Sequence, residues 1–199
     1  VLAIFCPSSP PVAVAADQCA AFSRLGAVAF GRSIMYLGLY TFIVLYFMNH
    51  FHESQNFSNL LLSVYYGIGA LFTLIGGKLG DKHGYRTFVR FGFLLAFPAA
   101  LILAWTDSSI LGILCLIVLG AALNLTYSPM VVLGQQYLPN RVGLASGITL
   151  GLAVSVGGIT APLLGKVGDM YGLETTFYVI ALISLIPLIS SFTLPKPKK

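Results

Sequence analysis

Six long apolar runs dominate this chain and leave few folds open to it. They cover Ala27–Asn49, Leu60–Leu79, Thr87–Trp105, Ile110–Leu133, Val142–Val167 and Thr175–Leu194. Each supplies the roughly 20 mostly apolar residues that a helix needs to cross the hydrocarbon layer of a bilayer. Turn and charge signals fall between them, at His50–Asn59, Gly80–Arg86, Thr106–Ser109, Gly134–Arg141 and Gly168–Glu174. Connections this short make consecutive helices antiparallel neighbours. Barrel strands alternate apolar and polar residues over about ten positions, whereas these runs are continuous and about twice as long. Pro98, Pro129 and Pro162 lie inside spans and Pro187 lies late in one, as is tolerated in membrane helices. The expected fold class is all-α, an integral membrane protein with six transmembrane helices.

Composition excludes the other classes. Of 199 residues, 57% are hydrophobic and 9% are charged, with a mean hydropathy of +0.90. A soluble domain carries about 25% charged residues, so this chain cannot build a solvated shell. With 14 Phe and 10 Tyr it is not a disordered chain. Three cysteines, Cys6, Cys19 and Cys115, do not make a disulfide framework, and Cys115 sits in an apolar run where packing is its expected role. Residues 1–26, interrupted by Pro7, Pro10 and Pro11, hold no 18-residue apolar run and no basic segment of the kind that opens a signal peptide. They read as a poorly ordered linker or fragment end, residues 27–195 as the membrane domain, and residues 196–199 as a basic tail.

The net charge of +5 is a statement about orientation. Alternating loops put Arg24, Arg32, Lys78, Lys82, Arg86, Arg90, Arg141, Lys196, Lys198 and Lys199 on one side and only Lys166 on the other, ten of eleven cations together. The positive-inside rule makes that side, and both chain ends, cytoplasmic, which implies a multi-pass protein of the cell (inner or plasma) membrane. Glu53, Asp107, Asp169 and Glu174 fall opposite. No basic stripe interleaved with aromatics is present, so no nucleic-acid partner is expected.

Two octapeptides repeat. Gly77-Lys78-Leu79-Gly80-Asp81-Lys82-His83-Gly84 ends the second span, and Gly165-Lys166-Val167-Gly168-Asp169-Met170-Tyr171-Gly172 ends the fifth, with five of eight positions identical. Copies three helices apart must face opposite sides of the membrane, the pattern of a 3+3 inverted repeat. The alternative is that Gly-x-x-Gly-Asp is simply an easy loop sequence.

The segment Gly77–Arg86 resembles the signature loop of the major facilitator superfamily, Gly-x-Leu-x-Asp-Arg/Lys-x-Gly followed by basic residues. It lies between the second and third spans on the basic side, as in that family. The resemblance implies that Gly77, Asp81, Lys82, Gly84 and Arg86 help latch one transport state, while Arg86 and Arg90, the last of the signature-loop residues, anchor the cytoplasmic face. Asp81 is placed to pair with a cation or to cap a helix. The sequence departs from the pattern at Gly80, where Ala is usual, and at Tyr85, where a basic residue is usual. A second stretch, Gln135-Gln136-Tyr137-Leu138-Pro139-Asn140-Arg141-Val142-Gly143 with Ala145-Ser146-Gly147, is similar to the segment leading into the eleventh helix of fosmidomycin-resistance-type efflux proteins. There Gln136 replaces the usual Glu. The resemblance covers about residues 27–195 and implies that the spans are helices 7–12. On that reading the chain, which starts at Val1, is the C-terminal half of a drug or antibiotic exporter and is inactive without its N-terminal six-helix half. A second reading keeps the six helices as a self-sufficient homodimeric transporter or a non-transporting scaffold.

Polar residues deep in the spans are the candidates for lining a substrate cavity. These are Tyr36, Tyr40, Tyr65, Asn124 and Tyr127, with Thr41 and Tyr66 beside them, while Tyr46 and Tyr178 are expected at the interface. Gly143, Gly147, Gly151 and Ser155, at i+4 spacing, form a small-residue stripe suited to helix packing. No carboxylate lies mid-span, so any coupling residue is expected elsewhere. His50, His52 and Glu53 share one loop without a further ligand, and no metal site is expected. No nucleophile–base constellation or phosphate-cradling loop is present. The chain is therefore read as a non-enzyme without cofactor, its partners being a small-molecule substrate and the lipid bilayer.

Overall fold

A computed structural model describes residues 18–195 and is helical throughout, with no strand among the described residues. Lipid leaves no water to satisfy backbone groups, so each crossing satisfies them within a helix. The elements are α1 (Cys19–Asn49), α2 (Gln55–His83), α3 (Tyr85–Trp105), α4 (Ser109–Leu125), α5 (Tyr127–Tyr137), a short 3-10 turn at Pro139–Arg141, α6 (Val142–Tyr171), α7 (Leu173–Ile183) and α8 (Leu185–Phe192). They make six crossings, with α4 and α5 sharing the fourth and α7 and α8 the sixth. The membrane-domain boundary differs from expectation, because residues 19–26 continue α1 and bury Ala21 and Leu25. The masses of charge at 196–199, the cysteine at 6 and the rest of the expected linker lie outside the described residues.

Two crossings expected as single helices are broken, and prolines break them. Pro129 cannot donate to the carbonyl of Leu125 and its ring crowds that oxygen. The helix stops at Leu125, turns at Thr126 and restarts at Tyr127. Pro187 acts on Ile183 in the same way, with the turn at Ser184. Each turn is closed by a hydroxyl: Thr126 Oγ1 donates to the carbonyl of Leu123 and Ser184 Oγ to that of Ala181. By contrast, α3 and α6 run on through Pro98 and Pro162.

With lipid as apolar as the helices themselves, helices associate by close packing rather than by hydrophobic collapse. The glycines make that approach possible. Gly76 lies against the carbonyl of Leu125, the one freed by Pro129, and a Cβ on Gly69 would stand 2.7 Å from Asn124 Nδ2, so α2 seats directly on α4. Gly92 does the same for α3 against Thr126 and Ala122 of the α4–α5 crossing, and Gly31 for α1 against Pro187. Helix α1 is the centre of the bundle, packed against α2, α6, α7 and α8. Of the most apolar stretch of α1, 61% is buried, against 22% for α2 and 19% for α6. Those two helices therefore carry the open faces.

Polar clamps define the two ends. At one end Arg24 Nη1 donates to the carbonyl of Thr193 at 2.9 Å, and Arg90 donates to those of Ser191 (3.0 Å), Phe192 (2.6 Å) and Leu194 (3.4 Å). Cations at the last carbonyls of a helix are favoured by its dipole. Tyr137 donates its hydroxyl to the carbonyl of Pro195 at 2.7 Å, and its own carbonyl accepts from the N–H of Gln18 at 2.8 Å. At the other end His50 bonds Glu174 Oε1 (2.9 Å) and the carbonyl of Thr106 (3.0 Å), while Ser109 donates to Glu53 at 2.6 Å. Tyr46, expected in an interfacial belt, is fully buried here, stacked between His50 and Phe177 and donating to the carbonyl of Leu103 at 3.0 Å.

The two octapeptides adopt one local geometry. Gly84 and Gly172 are the positive-φ glycines, at 94° and 90°, and each donates its N–H to the glycine four residues back, Gly80 and Gly168, at 2.9 Å. At 29 residues α2 is about 43 Å long, longer than the roughly 30 Å of hydrocarbon. Its last turn, with Lys78, Asp81, Lys82 and His83, is thereby carried beyond the apolar layer.

Candidate transport cavity

Halfway along the bundle, α1, α2, α4, α5 and α6 enclose a cavity of about 360 Å³. Its wall is Arg32, Ser33, Tyr36 and Leu37 from α1, Thr73 from α2, Asn124 and Tyr127 from the broken fourth crossing, and Leu150 and Val154 from α6. Of the five tyrosine and asparagine candidates, Tyr36, Asn124 and Tyr127 line it. Tyr65 stands behind, fully buried, its ring 6.1 Å from that of Tyr36 and its hydroxyl without a hydrogen-bond partner. Tyr40 lies on the open face and packs edge-on against Tyr66, with 5.4 Å between centroids. The amide of Asn124 does not bridge helices. Its Nδ2 donates to the carbonyl of Gly120 in its own helix at 2.8 Å.

Arg32 overturns the expectation that all but one of the cations sit at one membrane face. It lies thirteen residues into α1, about 20 Å from Cys19 along the axis, and is 5% exposed. Its Nε donates to the carbonyl of Leu123 at 3.0 Å, and its Cζ stands 4.7 Å from the centre of the Tyr127 ring and 5.4 Å from that of Tyr36. The break at Pro129 explains the acceptor. The turn at Thr126 interrupts the regular ladder, and the Leu123 oxygen takes the Thr126 hydroxyl and the Arg32 guanidinium instead. Guanidinium over aromatic rings is a further, modest attraction. Thus the mid-membrane ionisable group that the carboxylates do not supply is a cation. The signal is in the sequence, since Arg32 lies five residues inside the first apolar run and not in the basic flank.

The signature loop is built as follows. Asp81 accepts the hydroxyl of Tyr85 and is not a helix cap, since Gly84 occupies the N-cap position of α3 and no side chain caps that end. Lys82 and Gly84 are exposed, and Gly77 is half-buried against Ser128. Arg90 clamps the end of α8. Arg86 has a buried Nε with no hydrogen-bond partner, and it shares a cavity of about 450 Å³ with His83, Arg90 and Gln136. In the second motif, Gln135 Nε2 donates to Ser146 Oγ at 3.0 Å, which ties its two ends across the turn from α5 to α6. Gly143, Gly147, Gly151 and Ser155 are exposed, and a Cβ on any of the three glycines would meet nothing within 4 Å. The small-residue stripe packs against no helix among the described residues. No group of three or more potential metal ligands occurs among the described residues.

Six membrane-crossing helices, four of which wall a cavity at mid-depth, make up the architecture of a membrane transport protein. The chain belongs to the Major Facilitator Superfamily, whose family model matches residues 25–199. It is 33% identical over 159 residues to the uncharacterized MFS-type transporter YfnC of Bacillus subtilis (strain 168), covering 79% of this chain and 38% of that one. It is 31% identical over 173 residues to the fosmidomycin resistance protein of Escherichia coli (strain K12), covering 86% and 42%. The fold matches that of the transporter FucP in its outward conformation with a TM-score of 0.80 at 17% identity, covering 90% of this chain and 43% of FucP. A peptide transporter, POT, in complex with alafosfalin gives 0.80 at 18% identity, covering 88% and 38%. The chain thus spans about two-fifths of the length of the curated relatives it matches.

Proposed function

We propose that these six helices are helices 7–12 of an alternating-access exporter of small molecules, working with an N-terminal six-helix half across the open faces of α2 and α6. The carrying observation is the mid-depth cavity, whose wall draws on five helices and carries the buried Arg32 and Asn124. A site at the bilayer midplane exposed alternately to each side is the general design of secondary transporters. The unpartnered stripe Gly143–Gly147–Gly151–Ser155 supports a moving helix contact, because small residues let two backbones slide at close range. The likeness to the fosmidomycin resistance protein supports efflux as the direction and an antibiotic-like molecule as cargo. The matched local geometry at Gly84 and Gly172 supports a 3+3 inverted repeat. The basic end carrying Arg24, Lys78, Lys82, Arg86, Arg90 and Arg141 is the cytoplasmic one under the positive-inside rule, in the inner or plasma membrane. The test is growth of a drug-hypersensitive host expressing this chain alone, or with a separately encoded N-terminal half. Resistance only in the second case is expected. Resistance from the chain alone, with a symmetric dimer in detergent, would replace this reading by that of a self-sufficient six-helix transporter.

A further inference from the structure

Arg32 is a buried charge without a counter-charge among the described residues. A guanidinium has five N–H donors, and one of them, on Nε, is used by the carbonyl of Leu123. The four N–H groups on the terminal nitrogens have no acceptor among the described residues, and the side chain lines the cavity. The groups facing it are Tyr36 and Tyr127 on either side, with Tyr65 behind Tyr36. None of these is an acid. Glu53, Asp81, Asp107, Asp169 and Glu174 all lie at helix ends or in the connections between helices. Arg32 makes no ion pair with an acid among the described residues.

A cation in this position is costly to hold uncompensated. Two aromatic faces and one carbonyl offset part of that cost and leave the charge itself in place. They also orient it, since the Leu123 carbonyl fixes Nε and directs the other end of the planar fork away from that bond. Arginine's fork matches the paired oxygens of a carboxylate, phosphonate or phosphate, which it binds through two parallel hydrogen bonds. The volume, about 360 Å³, is within the range of small-molecule sites, about 300–1,000 Å³. The remaining wall suits an organic body: Leu37, Leu150 and Val154 are apolar, and Asn124 and Thr73 can fix a polar substituent.

We propose that the ligand of this cavity is a small organic oxyanion, carrying a carboxylate or phosphate-type group that Arg32 holds through its terminal nitrogens. This assignment of substrate class rests on the reading of the cavity as the transport site. Tyr36 and Tyr127 would then flank the bound head group and separate it from water.

The test is binding to the purified chain in lipid nanodiscs at fixed ionic strength, measured by calorimetry with benzoate, phenylphosphonate, the neutral benzamide and the cationic benzylamine. The two anions are expected to bind at least tenfold more tightly than the neutral and cationic probes. Arg32→Gln is expected to lose that preference, Arg32→Lys to retain part of it, and Lys166→Gln, an exposed cation remote from the cavity, to leave it unchanged. Equal binding of anionic and neutral probes by the wild-type chain overturns the proposal, whatever the variants do. So does an anion preference that survives Arg32→Gln in a variant of unchanged helicity. Transport by the two co-expressed halves is read separately. Anion binding without export would overturn the exporter reading alone, and Arg32-independent export of neutral or cationic drugs would overturn the oxyanion proposal alone.

Discussion

The ring of Tyr85 fills the space into which a side chain at position 80 would grow, since a Cβ on Gly80 would stand 2.7 Å from Tyr85 Cδ1. The same tyrosine donates its hydroxyl to Asp81, which holds the ring over the last turn of α2. Both positions depart from the family's signature loop, in which residue 80 is Ala and residue 85 is basic. The two departures are one structural event: the aromatic ring is admitted because the methyl group is absent.

Gly80→Ala is therefore expected to destabilise the chain by about 1–2 kcal/mol, the usual cost of forcing an extra methyl into a packed site. In a Tyr85→Ala background the same change should be neutral or stabilising by up to about 1 kcal/mol, because alanine is the better helix former. Thermal unfolding in detergent of the four members of this double-mutant cycle measures the coupling. Additive effects would refute the pairing.

Gly84 and Gly172 sit at φ values of 94° and 90°, a region that residues with a Cβ occupy at a cost of about 1–3 kcal/mol. Nothing lies within 4 Å of a Cβ at either position, so the cost is conformational and not steric contact. Gly84→Ala and Gly172→Ala should lower thermal stability by similar amounts. A large difference between them would show that the two turns do not share one energetic role.

The buried Nε of Arg86 has no partner, and Gln136 lines the same cavity. Gln136→Glu places a carboxylate where the fosmidomycin-resistance-type pattern has one. A gain of about 0.5–1 kcal/mol is expected, as for a partly exposed ion pair, and it should shrink at high salt because such pairs are screened. Unfolding temperatures at 0.05 and 1 M salt check both the sign and the salt dependence.

Pro129 creates the break that offers the Leu123 carbonyl to Arg32. Pro129→Ala restores a donor at position 129 and allows the helix to close through Thr126. The variant should fold with equal or higher helicity yet bind benzoate at least tenfold more weakly, because the guanidinium loses its fixed acceptor. Circular dichroism and calorimetry on the same sample separate the two effects.

How far the sequence could be read depends on what each signal measures. Hydropathy follows depth in the membrane, and the six crossings, the polar ends and the asymmetric cations all follow from it. The signature motifs also mark the family, because they are local runs of residues. Rotation about each helix axis was not legible. A helix in lipid is apolar both where it meets lipid and where it meets its neighbours, so composition does not distinguish the inward face. For that reason Tyr36 and Tyr127 could not be separated from Tyr40 and Tyr65, nor Tyr46 from an interfacial belt. The broken crossings were marked by Pro129 and Pro187, but equally placed Pro98 and Pro162 leave their helices intact, and the surrounding packing decided between them. Arg32 shows the division most plainly. The sequence alone determined that a cation lies within the first apolar run. Only the tertiary structure, by bringing a proline-broken helix and two tyrosines around it, decided that the cation faces a cavity with no counter-charge among the described residues.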